Sequence, residues 1–230
     1  MSEERLVRTA ALLGEEGVAR LGAAHVLLVG LGGVGGHTMD ALVRTGVGAL
    51  TLCDFDRVSE SNLNRQILAD RTTVGRLKTE VAAEKCAKIA DNVKICLHSD
   101  RLTPETVPAL FDAAAFDFVV DAVDDVAVKV ALAKEATRRT IPILSCLGTG
   151  NRLDPSALSF TDIYKTSDCP LARAVRTRLR REGVASLRVL VSREAAIAPK
   201  TGDVRVGSVA YVPAVAGLML AAETVRLLLS

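Results

Sequence analysis

Tryptophan is absent from this 230-residue chain, and only two tyrosines and five phenylalanines are present. With so few rings, a broad aromatic platform for stacking bases is not expected. No Cys-x-x-Cys pair occurs among the five cysteines, Cys53, Cys86, Cys96, Cys146 and Cys169. That argues against a structural zinc, and the odd count points to reduced thiols in the cytoplasm rather than a disulfide framework. Charge of one sign is lacking too: 29 Lys and Arg against 27 Asp and Glu leave a net charge of +2. Such a balance neither demands nor excludes nucleic acid, because a local patch can do the binding. Met1 to Arg5 is charged and holds no apolar core of a secretory signal. Val209 to Leu229 is mostly apolar, but Pro213, Glu223 and Arg226 interrupt it. The expectation there is a buried or dimer-interface helix, not a membrane span.

What is present is globular, with 49% hydrophobic and 24% charged residues and enough length to bury a substantial core. Short apolar runs at His25–Val29, Ala49–Cys53, Val93–Leu97, Phe116–Ala122 and Pro142–Cys146 read as strands. Helical patterns separate them at Val34–Thr45, Val74–Ala90, Glu105–Ala114 and Val126–Arg139, with Thr103-Pro104 as cap and first turn of the third. This alternation means parallel βαβ units in an α/β, doubly wound, mostly parallel sheet. After Gly150 the rhythm changes. Strands are expected at Ala157–Ile163, Leu187–Ser192 and Val204–Val206, a basic helix at Pro170–Arg181, a loop at Ala195–Asp203 and a closing helix at Pro213–Leu229. No repeat or linker divides the chain, so one domain over residues 1–230 is expected, with the closing elements as a C-terminal α/β extension.

The first strand runs into Gly30-Leu-Gly-Gly-Val-Gly35 and then a helix. Glycines there let phosphates approach the backbone, and the helix N-terminus supplies amide donors and partial positive charge. Gly30, Gly32, Gly33 and Gly35 are therefore candidate nucleotide contacts, and Asp54 at the end of the second strand suits ribose hydroxyls. Position alone says adenine nucleotide in a Rossmann-like half, residues 1–150, without separating NAD from ATP. The next stretch favours ATP. Asn62 could orient a phosphate oxygen, and Arg65 and Lys78 could neutralise charge on the α-phosphate and the departing pyrophosphate. Asp121-Ala-Val-Asp124-Asp125 ends the Phe116–Ala122 strand, and a carboxylate there suits a magnesium ion bridging phosphates.

Six ordered motifs carry a resemblance: Arg8, Gly30-Leu-Gly-Gly-Val-Gly35, Asp54-Phe-Asp56, Ser61-Asn-Leu-Asn-Arg-Gln66, Gly75-Arg-Leu-Lys78 and Asp121-Ala-Val-Asp-Asp125. Together they resemble the ubiquitin-activating-type (ThiF/MoeB/HesA-like) ATP-dependent adenylyltransferases. Asn151-Arg-Leu-Asp-Pro155, Thr161-Asp-Ile-Tyr-Lys-Thr166, Asp168-Cys-Pro-Leu-Ala-Arg173 and Gly207-Ser-Val-Ala-Tyr-Val-Pro-Ala-Val-Ala-Gly217 resemble, more narrowly, the tRNA threonylcarbamoyladenosine dehydratases.

The resemblance implies roles. Asp54 would bind ribose, with Asp56 and Gln66 in the same nucleotide-binding set. Asn62, Arg65 and Lys78 would surround the triphosphate, and Asp124 would hold magnesium. Arg8 would reach the phosphates of a neighbouring subunit, so a homodimer is implied, with residues 151–230 as the substrate-binding and dimerisation half. The implied reaction is ATP-dependent cyclisation of threonylcarbamoyladenosine beside the tRNA anticodon, through adenylation of the threonyl carboxylate and net loss of water. The alternative is an adenylyltransferase acting on the C-terminal glycine of a ubiquitin-like sulfur carrier. A non-enzymatic nucleotide-binding or NAD-type module is the third reading. A monovalent cation and a cysteine desulfurase or sulfur acceptor stay open as further ligands.

Two features remain. Cys169 at a helix start is the best candidate for a reactive thiol, although a small helix-start residue is the plainer reading; Cys146 reads as packing. On the basic helix, Arg173, Arg176 and Arg180 share one face, a candidate contact for tRNA phosphates, whereas an ordinary solvated face explains it equally well on sequence grounds.

Overall fold

A computed structural model describes residues 3–167, 169–202 and 206–230. The strands are β1 (His25–Val29), β2 (Ala49–Cys53), β3 (Lys94–His98), β4 (Phe118–Asp121), β5 (Ile143–Cys146), β6 (Leu158–Asp162) and β7 (Arg188–Ser192). They form one sheet in the order β3-β2-β1-β4-β5-β7-β6. Every pairing is parallel except β6 with β7. The helices are α1 (Val7–Ala23), α2 (Gly35–Thr45), α3 (Lys78–Ile89), α4 (Val107–Asp112), α5 (Val126–Arg139), α6 (Pro170–Arg181) and α7 (Tyr211–Leu228).

Alternation along β1 explains the layers. Val26 and Leu28 point into a core shared with α2, α3 and α7 through Met39, Leu42, Val81, Ala216 and Leu220. Leu27 and Val29 point the other way, onto α4 and α5 through Leu110, Phe111, Leu132 and Ala136. Burial on both faces is why the central strands read as continuous apolar runs. A further cluster seats α6 (Ala172, Val175, Leu179) against β7 and α5. Of the described helices only α7 is long and apolar enough to cross a membrane. Its Val212, Ala216, Leu220 and Ala221 are buried in the protein, and Glu223 is ion-paired to Arg188 at 2.5 Å and Arg226 at 2.8 Å. The helix crosses α2 closely: a Cβ on Gly217 would stand 2.4 Å from the Val34 carbonyl oxygen.

Several boundaries differ from the sequence expectation. α3 begins at Lys78, not Val74, because Gly75 is left-handed (φ 87°) and Leu77 bridges to Arg57. α4 begins at Val107; residues 104–106 form a turn closed by the Thr106 hydroxyl, which accepts from the Thr103 amide, and Pro108 takes the first-turn position instead of Pro104. α7 starts two residues before Pro213, which its first turn tolerates. No element is expected from sequence over residues 7–23, where α1 lies bent at Gly14 (φ 74°). The expected strand at 204–206 falls mostly outside the described residues, and Val206 is not in a strand.

Candidate active site

The carboxyl ends of β2, β1, β4 and β5 open into one cleft of about 990 Å³. It lies where the strand order reverses, between β1 and β4, the usual ligand position in such sheets. Across its floor run Asp54 after β2, the glycine turn after β1, Asp124 after β4 and residues 147–152 after β5.

The four glycines of the turn differ in what requires them. Gly30 (φ 92°) could carry a Cβ only 2.7 Å from the Ala122 carbonyl, and a Cβ on Gly35 would lie 1.8 Å from the Gly30 carbonyl. The fold itself demands both. A Cβ on Gly33 would meet Pro213 at 3.1 Å, whereas on Gly32 it would meet only Gln66 Nε2, at 3.8 Å, so Gly32 is left bare toward the cleft.

Asp54 ties the turn to β2. Its Oδ2 accepts from the Leu31 amide at 2.7 Å and its Oδ1 from the Asp56 amide at 2.8 Å. Burial pushes its carboxyl up, against the opposing pull of Lys78 and the two amides. Lys78, at the N-terminus of α3, is 4% exposed and donates to Asp56 at 2.8 Å, with Asp54 at 3.9 Å. Asn62 is buried, and its Oδ1 caps a short turn by accepting from the Ser59 amide. Gln66 beside it leaves a buried Oε1 without a partner. Arg65 lines the cleft while donating to the Ser61 carbonyl at 2.8 Å and to Asn64 Oδ1 at 2.9 Å.

The three acids after β4 have separate tasks. Asp121 is fully buried against Lys129. Asp125 caps α5, accepting from the Ala127 and Val128 amides. Asp124 is exposed in the cleft and has no hydrogen bond or ion pair among the described residues. No cluster of three or more metal-ligating side chains occurs among the described residues. A lone carboxylate can hold magnesium only where substrate phosphates and waters supply the remaining ligands.

Two groups of expected residues stand apart. Arg8 is exposed on the first turn of α1 and does not line its own cleft. Nearby Arg5 donates to the Val43 carbonyl, which fixes this segment at the far end of α2 from the glycine turn. Arg173, Arg176 and Arg180 do not form one free basic face. Arg176 donates to the Thr166 carbonyl at 2.7 Å, and Arg180 lies over the Tyr164 ring at 5.3 Å, so only Arg173 is uncommitted.

Cys169 is the N-cap of α6, buried at the cleft wall, and its Sγ accepts from the Ala172 amide. Cys146 is buried with its thiol pushed up to about 12, as packing predicts. Asp168 of the same motif lies outside the described residues. Phe55 and Arg152 stand inside motifs that carry the resemblance, but neither they nor Arg101 have a role there. Arg101 stacks over the half-exposed Phe55 at 4.6 Å, and Arg152 is buried to 4% exposure. Asn151, which opens the Asn151-Arg-Leu-Asp-Pro155 motif, is left-handed at φ 59°.

A family model described as the ThiF family matches residues 4–230. The chain belongs to the ThiF family. Among its relatives, the tRNA threonylcarbamoyladenosine dehydratase of Bacillus subtilis is 37% identical over 234 residues, covering 94% of this chain and 91% of that protein. The Escherichia coli protein of the same name is 40% identical over 177 residues, 77% of this chain and 66% of that one. A crystal structure of the E. coli dehydratase TcdA in complex with AMP superposes with a TM-score of 0.92 at 34% identity, covering 98% of this chain and 94% of that one. Its complex with ATP superposes at 0.91. A molybdopterin-synthase adenylyltransferase of Salmonella typhimurium is 38% identical over 146 residues, 64% of this chain.

Proposed function

We propose that this ThiF-family protein is an ATP-dependent tRNA threonylcarbamoyladenosine dehydratase, which adenylates the threonyl carboxylate and closes a ring with net loss of water. The observation that carries the reading is the extent of the match. Similarity to dehydratases runs through both halves of the chain, whereas the sulfur-carrier-type relative matches 64% of it.

A carboxylate resists attack because oxide is a poor leaving group; ATP supplies AMP in its place. The chain's own work is then placement and charge. The amides of the glycine turn and the start of α2 face the phosphates, with Gly32 leaving room for them. Lys78, Arg65 and Asn62 meet the charge that builds on the departing pyrophosphate. Asp54, and the more exposed Asp56, hold the ribose side, and Gln66 offers its unpartnered Oε1 to the nucleotide. Asp124 would hold magnesium, which screens the triphosphate. Once activated, the acyl carbon is attacked from within the same substrate. That proximity advantage is worth up to about 7–11 kcal/mol in favourable cases and removes the need for a protein nucleophile.

Arg8, outside its own cleft, acts in that of a second copy, which makes the enzyme a homodimer. tRNA lies over the α6 side of the cleft, where Arg173 is free to meet a phosphate. Five unpaired thiols suit the cytoplasm.

The test is direct. Purified protein is incubated with ATP, magnesium and tRNA carrying linear threonylcarbamoyladenosine, and the digested nucleosides are weighed. Loss of one water from that nucleoside, with AMP formed alongside, is expected. An unchanged nucleoside from protein that binds ATP would remove the reading and favour a carrier-protein substrate.

A further inference from the structure

Arg152 is a buried cation without a counter-ion. It is 4% exposed and lines the cleft, yet it makes no ion pair among the described residues. Its single hydrogen bond is a long one, Nη1 to the Asn151 carbonyl at 3.3 Å, and its buried Nε has no partner. An arginine removed from water in this way is costly unless an anion completes it.

The mounting is rigid on both sides. Asn151 is held left-handed (φ 59°) by four hydrogen bonds. Its amide donates to the Gly207 carbonyl, its Oδ1 accepts from the Gly207 amide at 2.6 Å, and its carbonyl accepts from the Ile197 amide as well as from Arg152. On the other side, Glu194 accepts from the amides of Leu153 and Asp154. Strain held by so many contacts around one side chain is typical of a functional position.

Its place in the sheet says which anion. The ribose acid, Asp54, follows β2; the phosphate turn follows β1; Asp124 follows β4; Arg152 lies beyond β5. Neighbouring strands are about 4.8 Å apart, so the Arg152 loop sits on the side of Asp124 away from the ribose. The triphosphate already has Lys78, Arg65, Asn62 and the start of α2. Among the groups that react, the remaining anion is the carboxylate to be activated.

We propose that Arg152 binds the carboxylate of the acyl substrate and aims it at the α-phosphorus, an inference that rests on the dehydratase reading. One carboxylate oxygen attacks the α-phosphorus, the bond to the bridging oxygen breaks, and pyrophosphate leaves with the electron pair. The other oxygen stays on Arg152 and becomes the acyl carbonyl. When the carbamoyl group attacks the acyl carbon, negative charge collects on that oxygen. AMP then leaves with its electron pair, and one carbamoyl proton passes to solvent. Arg152 serves both steps, because the same oxygen carries charge in each.

The test compares wild type with Arg152→Gln and Arg152→Lys. ATP affinity is measured by calorimetry, folding by Tm, and AMP formation with tRNA carrying linear threonylcarbamoyladenosine. The expected result is a loss of about 100-fold in kcat/KM for that tRNA in the Gln variant, with ATP affinity unchanged, Tm unchanged or raised, and partial recovery in the Lys variant. Wild type should also bind the modified tRNA more tightly than tRNA lacking the group, and the Gln variant should not. Retained kcat/KM would overturn the proposal, as would a parallel loss of ATP affinity or of Tm. Wild-type protein that forms no AMP from this tRNA would sink the dehydratase reading itself, and the inference with it.

Discussion

Lys129 Nζ stands 2.8 Å from Asp121 Oδ2, and neither side chain is accessible to solvent. Ser145 completes the group, donating to the same carboxylate oxygen at 2.6 Å and accepting from Lys129 at 3.2 Å. The other oxygen accepts from the Val123 amide, so the pair fixes the backbone that leads to Asp124. Removing one partner strands a buried charge. Lys129→Met should therefore cost about 3–5 kcal/mol in denaturant unfolding, and adding Asp121→Leu should recover much of that. A single-variant loss below about 1 kcal/mol would show that the pair is not what holds this turn.

The glycine turn separates folding from binding. Gly35→Ala places a methyl 1.8 Å from the Gly30 carbonyl and should give insoluble or unfolded protein. Gly32→Ala meets nothing nearer than 3.8 Å. Its stability should stay within about 0.5 kcal/mol of wild type while ATP affinity falls by about tenfold or more. Soluble, ATP-competent Gly35→Ala protein, or unchanged ATP affinity in Gly32→Ala, would contradict this division.

The sheet was legible because its signals are local. Apolar runs ending at Gly30, Asp54 and Asp124 mark both the strands and the carboxyl edge where the cleft opens. α5 and α6 were readable to the residue, since periodicity and caps agree at Asp125 and Cys169. α1 was not, because Gly14, Gly17 and Gly22 interrupt it and its apolar residues keep no single buried face, Leu12 being 87% exposed. The free basic face on α6 failed for another reason. Helical spacing puts Arg173, Arg176 and Arg180 together, but Thr166 and Tyr164, distant along the chain from a helix-wheel viewpoint, engage two of them. Arg152 lay in a quoted motif without a role, since the hydrogen bonds that hold its neighbours Asn151 and Leu153 to residues 194–207 are encoded in no local pattern.

Asp124 and Asp125 are neighbours with opposite expected phenotypes. Asp125→Ala removes the side-chain cap of α5 and should cost about 1 kcal/mol of stability while dehydration continues. Asp124→Asn breaks no contact among the described residues, so Tm should not move. Its AMP formation should drop by about 100- to 1,000-fold and require more magnesium. The two are distinguished by measuring Tm and AMP release on the same preparations; a catalytic loss confined to Asp125→Ala would reverse the assignment.

Glu135 gives the fold an acid-sensitive lock. Arg138 donates to both of its oxygens, at 3.0 and 2.6 Å, and Arg139 to one at 2.6 Å. These arginines, Arg138 foremost, outweigh burial and bring its carboxyl down from 4.5 to about 2. Between those values the unfolded chain binds a proton that the folded chain does not, so acid favours unfolding. The contribution is complete above about pH 4.5 and is lost as pH falls toward 2. Glu135→Gln should accordingly lower Tm most near neutral pH, with the gap from wild type narrowing steadily between about pH 5 and pH 2.5. Arg139 also reaches Asp112 at 2.6 Å, so α4 stays pinned to α5 in the variant and the comparison reads the Glu135 carboxylate alone. A gap that stays constant across that range would mean the ion pairs at Glu135 contribute nothing to folding.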